Sequence, residues 1–302
     1  MSDKPVVGFI GVGLMGWGMA KNIVEKGYPL VVMAHRKREA VDDLIGRGAS
    51  EVTSPKEMAE KADVIVLCVT GAPQVEDILR RDDGILAGAR EGLAIIDTST
   101  SEPDLTERLH AELGERGITF FDAPLSRTPA HAWEGELTTY VGGTDALVEK
   151  WTPLLSTWAS VVIPVKGPVG AAHATKLINN LIGIGYAALW SECYSMISKI
   201  GVAPETFREI VSNSGMNCGN FQNYSKYVCE GDPKAHEFAL SNCLKDLTYY
   251  NRLATRNGSA TLMSDGALQM LKLGVTMGYG EKNMPEMIDI VAKLNGQKER
   301  AK

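Results

Sequence analysis

Residues Gly11-Val12-Gly13-Leu14-Met15-Gly16 constrain this chain more than any other stretch, because glycines at that spacing call for a strand, a tight turn and a helix in immediate succession. The apolar run Val6-Val7-Gly8-Phe9-Ile10 precedes them. Leu14 to Lys26 follows, with apolar positions at helical spacing and a terminating Gly27. In that setting Gly11 lets the chain turn, Gly13 lets the backbone approach a pyrophosphate, and Gly16 lets helix and strand pack closely. The helix N-terminus then faces the phosphates with unpaired N–H groups, beside Leu14 and Met15. A merely structural glycine turn is the alternative, and the alternation of elements that follows weighs against it.

Leu30 to Ala34 reads as a second strand and Arg38 to Gly46 as a helix. Ser54-Pro55-Lys56-Glu57 has the form of an N-cap, a proline at the first helical position and a capping-box acid. Asp63 to Val69, Leu93 to Asp97 and Ile118 to Phe121 are apolar runs, as expected of strands buried on both faces. Ser101-Glu102-Pro103-Asp104 repeats the cap chemistry ahead of Leu105 to Leu113. The alternation predicts an α/β fold, a doubly wound parallel sheet of Rossmann type over 1–166, extended by Leu137 to Val141 and Ser160 to Pro164. From about Gly167 the pattern changes. Gly170 to Ile200 lacks a helix stop and is apolar all round, which predicts a buried helix. Pro204 to Ser212, Phe238 to Arg256, Ala260 to Met277 and Pro285 to Leu294 also read helical, so 167–302 is expected to be an all-α domain.

Composition narrows the function classes. A formal net charge of −6 without a long basic patch argues against general affinity for nucleic acid. The apolar stretch from Leu181 to Trp190 is too short to span a bilayer, and Met1-Ser2-Asp3-Lys4-Pro5 leads straight into the first strand without a charged and apolar leader. Cys68, Cys193, Cys218, Cys229 and Cys243 are odd in number and lack metal-ligand spacing, which fits free thiols. A soluble cytoplasmic protein without a metal centre is expected.

Several separated motifs resemble the β-hydroxyacid dehydrogenase family, which includes 3-hydroxyisobutyrate dehydrogenases and tartronate semialdehyde reductases. They are Gly8 to Gly16 with Met19-Ala20, Asp97-Thr98-Ser99-Thr100 with Pro103, and Asp122-Ala123-Pro124-Leu125-Ser126. Gly142-Gly143, Lys176-Leu177-Ile178-Asn179-Asn180 and Lys245-Asp246-Leu247 follow. The resemblance implies hydride transfer between a nicotinamide cofactor and a small hydroxy acid or its semialdehyde, with a helical domain that supports homodimers or homotetramers. By the same resemblance Ser126 contacts the substrate carboxylate, Thr100 positions the nicotinamide, and Lys245 stands near the cofactor. Val69 and Thr70, after the strand from Asp63, are assigned to the cofactor as well.

The residues support the chemistry independently. Oxidising an alcohol releases a hydride and a proton, and a nicotinamide takes only the hydride. Lys176, flanked by Leu177, Ile178 and Leu181, is the candidate for the proton, with a pKa lowered by desolvation. Asn180, four residues on, shares its helical face and can orient the substrate oxygen. His173 precedes Lys176 by three residues, as in 6-phosphogluconate dehydrogenases, and is either a site-lining residue or a satisfied interior histidine.

Two stretches bear on specificity. Met33-Ala34-His35-Arg36-Lys37-Arg38 ends the second strand without the acid that holds a ribose 2′-hydroxyl, so His35, Arg36 and Arg38 favour NADP(H) over NAD(H). Where most of the family has two glycines after the serine, this chain has Arg127-Thr128-Pro129-Ala130-His131, and Ala172 replaces a glycine before the lysine. Arg127-Thr128 resembles the sulfolactaldehyde reductase branch, so a small anionic aldehyde or hydroxy acid is the expected partner, with succinic semialdehyde as a further candidate. Two other readings, a non-catalytic cofactor-sensing or chromatin-reader member of the fold and an imine reductase, are disfavoured because both lack the lysine that Lys176 supplies.

Overall fold

The computed structural model describes residues 4–297. The chain divides into two compact units, Met1–Lys176 and Leu177–Lys302. Among the described residues no helix is long and apolar enough to cross a membrane.

The first unit contains strands β1 (Val7–Ile10), β2 (Leu30–Val32), β3 (Ser50–Glu51), β4 (Val64–Leu67), β5 (Ala94–Asp97), β6 (Thr119–Asp122), β7 (Leu125–Ser126), β8 (Leu137–Gly143) and β9 (Ala159–Lys166). Its helices are α1 (Gly16–Glu25), α2 (Glu39–Gly46), α3 (Pro55–Lys61), α4 (Ala72–Arg80), α5 (Ile85–Gly88), α6 (Pro103–Gly114), α7 (Pro129–Glu134) and α8 (Asp145–Leu155). Strands β1 to β6 form one parallel sheet in the order β3-β2-β1-β4-β5-β6. Every residue of β1, β2, β4 and β5 is buried, as a sheet covered on both faces requires. The chain leaves the neighbours β1 and β4 toward opposite flanks of the sheet, and the crevice at their carboxyl ends is the point where doubly wound sheets bind nucleotides.

Local chemistry sets the helix starts. Ser54 Oγ accepts the Glu57 N–H at 3.1 Å ahead of α3, while the Glu57 carboxylate reaches back to the Thr53 N–H at 2.9 Å rather than to that of Ser54. Ser101 does not cap α6; Glu102 occupies that position, and no side chain closes the end.

The expected extension of the main sheet is corrected by the structure. Strands β7, β8 and β9 form a separate three-stranded sheet, with β7 antiparallel and β9 parallel to β8. Exposure explains the separation: β8 alternates between buried and half-buried residues, and β9 leaves Val161 and Ile163 41% exposed. Such strands do not belong in a sheet covered on both faces. Pro164, which lacks an N–H, is tolerated because β9 is an edge.

Helix α9 (Ala171–Lys199) carries the chain from the first unit into the second, which holds α10 (Pro204–Ser212), α11 (Gly219–Glu230), α12 (Leu240–Arg256), α13 (Leu262–Gly274) and α14 (Met287–Leu294). A π turn, Val275–Tyr279, ends α13, and a 3₁₀ turn, Met284–Glu286, precedes α14. The all-round burial expected of α9 is not observed. Ile178, Ile182, Tyr186, Leu189 and Met196 lie at helical spacing and form a half-exposed apolar stripe, while Ile184, Ala187 and Tyr194 enter the core of the second unit. Helix α11, unanticipated from the sequence, buries Phe221, Tyr224 and Val228 and stops at Gly231, whose φ is +72°.

Candidate active site

The glycine turn has the geometry its spacing predicts. Gly11 adopts φ +104°, and a Cβ there would collide with the Cys68 carbonyl; a Cβ on Gly16 would collide with the Gly11 carbonyl. Gly13 faces open space, with nothing within 4 Å of where its Cβ would stand. No side chain caps α1 at Met15, and no acid stands in its first turn. This helix end therefore offers amides and an uncountered positive partial charge, and the residues present fit a pyrophosphate. Leu14, 74% exposed, lies on the same turn.

The neighbouring strand ends are tied together. The Val69 N–H donates to Ser99 Oγ at 3.0 Å, Thr98 Oγ1 donates to the Leu67 carbonyl at 2.7 Å, and the Ser99 N–H donates to Asp97 Oδ1 at 2.9 Å. Val69 is half-buried beside the glycine turn, its Cγ1 3.2 Å from where a Cβ on Gly11 would stand, while Thr70 is exposed and Thr100, after β5, is half-buried. Beyond β2, His35, Arg36 and Arg38 are all exposed. They are not equivalent: the Arg38 guanidinium is bound by both oxygens of Glu51 at 3.0 Å and by Asp42 at 2.9 Å.

On the substrate side Ser126 Oγ shares a hydrogen bond of 2.7 Å with the Tyr140 hydroxyl on β8. Tyr140 was not singled out from the sequence, and its one signal was a phenol in the half-buried register of an alternating strand. Arg127 is the one non-glycine residue with positive φ among the described residues, at +85°, and its Nη1 donates to the Glu136 carbonyl at 3.0 Å. Thr128 Oγ1 lies 2.7 Å from His131 Nδ1, at the start of α7 where the sequence suggested only a loop. Helix α7 packs on α1 at Gly18, where a Cβ would stand 2.6 Å from the Trp133 nitrogen, and Asn22 Nδ2 donates to the Ala132 carbonyl at 2.9 Å. The loop carrying Arg127 is therefore pinned to the helix of the glycine turn.

Lys176 is half-buried on α9. The apolar neighbourhood inferred for it is uneven, since Leu177 is buried and Ile178 is 49% exposed. His173, expected as a possible site-lining residue, has no exposed surface. Its Nδ1 lies 2.8 Å from Thr106 Oγ1, and its Nε2 lies 3.9 Å from Asp97 Oδ2. Burial pushes the Asp97 carboxyl up from the usual carboxylate range, and the nearby imidazole opposes that shift.

In the second unit, Asn180 Nδ2 donates to Asp246 Oδ2 at 2.7 Å, and Lys245 Nζ lies 2.9 Å from Asp246 Oδ1. Asp246 itself is 2% exposed. Sequence reasoning quoted Asp122 and Asp246 only as motif members. The signal for Asp122 was a carboxylate at the end of an apolar strand, where it needs partners.

Comparison with known proteins identifies the family and the fold. Residues 6–167 match the NAD binding domain of 6-phosphogluconate dehydrogenase, and residues 170–291 match the domain described as NAD-binding of NADP-dependent 3-hydroxyisobutyrate dehydrogenase. The 2-(hydroxymethyl)glutarate dehydrogenase of Eubacterium barkeri is 31% identical, over 98% of this chain and 98% of its own length. The NAD-dependent L-serine dehydrogenase of Pseudomonas aeruginosa is 30% identical, over 96% and 99%. The crystal structure of a 3-hydroxyisobutyrate dehydrogenase from Salmonella typhimurium superposes with a TM-score of 0.83 at 26% identity, covering 94% of this chain and 99% of that one. Matched over both halves by these domains and over nearly its whole length by these relatives, the chain belongs to the β-hydroxyacid dehydrogenase family, oxidoreductases that act on CH–OH groups with a nicotinamide cofactor.

Proposed function

We propose that this protein is an NADP(H)-dependent dehydrogenase that interconverts a small β-hydroxy acid, or a hydroxy compound with another anionic end, and its semialdehyde. The observation that carries this reading is the Lys176 to Asn180 block at the start of α9, in a chain that also keeps Ser126 and the glycine turn. Bound nicotinamide supplies or accepts the hydride. Lys176 Nζ gives the proton to the carbonyl oxygen in reduction and removes it from the hydroxyl in oxidation. Asn180, one helical turn on, orients that oxygen, and Ser126, held by Tyr140, takes the carboxylate end of the substrate. Thr128 lines the same loop, and Thr100 and Lys245 serve the cofactor.

NADP(H) is favoured because β2 ends without a carboxylate and Arg36 stands exposed, with no hydrogen bond or ion pair among the described residues. The matched domain over 170–291 is described for an NADP-dependent enzyme, whereas one relative is NAD-dependent. Arg127 favours a substrate with a carboxylate or sulfonate tail, and the half-exposed stripe on α9 favours a homodimer or homotetramer. Lys176→Ala tests the reading. General acid–base catalysis contributes about 10²- to 10⁴-fold, so kcat is expected to fall by that factor while cofactor affinity stays near wild type. A variant keeping more than about a tenth of wild-type kcat would remove Lys176 from the proton-transfer role.

A further inference from the structure

The carboxylate of Asp122, the last residue of β6, is fully buried, and both of its oxygens are committed to the first turn of α9. Oδ1 accepts the Gly170 N–H and Oδ2 accepts the His173 N–H, each at 2.8 Å. A buried carboxylate is costly unless charge-assisted hydrogen bonds satisfy it, and amides at a helix N-terminus supply both donors and a favourable partial charge. One carboxylate can bridge two amides three residues apart, whereas a single hydroxyl cannot span them. Asp122 therefore caps α9 from another element.

The surroundings reinforce this anchor. A Cβ on Gly142 of β8 would collide with Asp122 Oδ1, so that glycine leaves the space the carboxylate occupies. Gly170 adopts φ +100°, which turns its N–H toward Asp122, and a Cβ there would stand 3.1 Å from Glu107 Cγ. The His173 ring forms a second hold. Its Nδ1 shares a hydrogen bond of 2.8 Å with Thr106 Oγ1 of α6, and its Nε2 faces Asp97 Oδ2 at 3.9 Å, beyond hydrogen-bond distance. Asp97 is the register partner of Asp122 on β5. The end of β6 thus holds this helical turn through Asp122, α6 holds the His173 ring through Thr106, and Lys176 follows His173 by less than one further turn.

We propose that Asp122 is a positioning residue for Lys176, fixing the first turn of α9 on the carboxyl edge of the sheet, and that Gly142 keeps the space this carboxylate needs. The proposal rests on the assignment of Lys176 as the proton-transfer group. Displacing a reacting group by about 1 Å costs about 10²-fold, so Asp122→Ala should lower kcat by about 10- to 100-fold.

The experiment compares Asp122→Ala, Asp122→Asn and Gly142→Ala, each alone and combined with Lys176→Ala. It reads kcat, the Kd for NADPH and backbone amide exchange over residues 170–173. Asp122→Ala and Gly142→Ala are both expected to lower kcat, to leave Kd within about twofold, and to speed exchange of the Gly170 and His173 amides by about tenfold or more. Asp122→Asn keeps one acceptor and should restore part of kcat. It also carries the test, with Gly142→Ala, should Asp122→Ala fail to fold. In the Lys176→Ala background the Asp122 substitutions should cost nothing further, because residues that act through one another are not additive. The positioning role is overturned if Lys176→Ala is inactive while Asp122→Asn and Gly142→Ala keep more than about half of wild-type kcat, or if the Asp122 loss persists undiminished without Lys176. Retained activity in Lys176→Ala alone would instead overturn the assignment of Lys176 itself.

Discussion

Asp246 fixes which way the Asn180 amide faces. A carboxylate can only accept, so the atom 2.7 Å from Asp246 Oδ2 must be Asn180 Nδ2, and Oδ1 is thereby turned to the other side. Lys245 Nζ lies 2.9 Å from the other oxygen of the same buried carboxylate. Asp246 thus links two residues that the family pattern treats separately.

The first prediction follows from that link. Asp246→Ala should lower kcat/KM by about 10- to 100-fold, since losing a charge-assisted hydrogen bond costs about 1.5 to 3 kcal/mol and frees the Asn180 side chain to rotate. Combining it with Asn180→Ala should add little. Strict additivity in the double-mutant cycle would show that Asp246 acts elsewhere.

The second prediction separates the two arginines after β2. Arg36→Ala should reduce kcat/KM with NADPH by about 10- to 100-fold and leave the value with NADH within about twofold, because only NADPH carries the 2′-phosphate that an arginine fork can bind. Arg38→Ala should matter less for the cofactor, since that guanidinium is already held by Glu51 and Asp42. Steady-state kinetics with both cofactors decide it; a wild-type enzyme at least as efficient with NADH would overturn the NADP(H) assignment.

Much of this was readable along the chain, and the omissions share a cause. Helix α10 follows from Pro204 at its first turn and the span of α9 from the lack of a helix stop between Gly170 and Ile200, and both signals are local. The sheet to which β8 and β9 belong is not local: an alternating strand fits a sheet edge or a second sheet equally, and only pairing with β7 decides. Helix α7 was hidden because Pro129 reads as a loop stiffener until Gly18 of α1 gives the segment a surface to pack on. Residues named for the site were those whose chemistry shows in a motif, such as Lys176 and Ser126. Tyr140, Asp122 and Asp246 act by holding other residues, and the partners that define them lie 14, 48 and 66 positions away.

A third prediction concerns acid stability. The Asp63 carboxylate accepts the Val6 N–H at 2.9 Å and a bond from Arg90 at 2.6 Å, and these hold its carboxyl below the ordinary range, the backbone bond contributing most. A lowered folded-state pKa means that the unfolded chain binds the proton more readily. The stabilisation is therefore present above the unfolded pKa of about 3.9 and is lost as pH falls through the lower folded value. Because the side chain is 47% exposed, the contribution should be modest, about 1 kcal/mol after screening. Asp63→Asn should thus be less stable than wild type at pH 7, and the gap should be smaller at about pH 3, below the unfolded pKa. Urea unfolding at both pH values checks this; an equal gap at both would show that the charge of Asp63 contributes nothing.

The fourth prediction concerns Arg127, whose backbone and side chain pull in different directions. A φ of +85° is strained for any residue with a Cβ, at a cost of order 1 kcal/mol, and a glycine would remove it. Tolerance of that strain at the end of β7 suggests that the guanidinium is retained for what it binds. One nitrogen donates to the Glu136 carbonyl, which aims the fork without neutralising its charge. Arg127→Gly is therefore expected to leave stability unchanged or slightly raised. It should lower kcat/KM for an anionic substrate by about 2 to 4 kcal/mol, because the anion loses a charge-assisted partner. The comparison is kcat/KM for succinic semialdehyde, sulfolactaldehyde and a neutral aldehyde of similar length, in wild type and variant, alongside urea unfolding. Loss confined to the two anionic substrates supports recognition by Arg127. A parallel loss across all three would mean that the bond to Glu136 holds the loop in shape and that the anion is read by other groups.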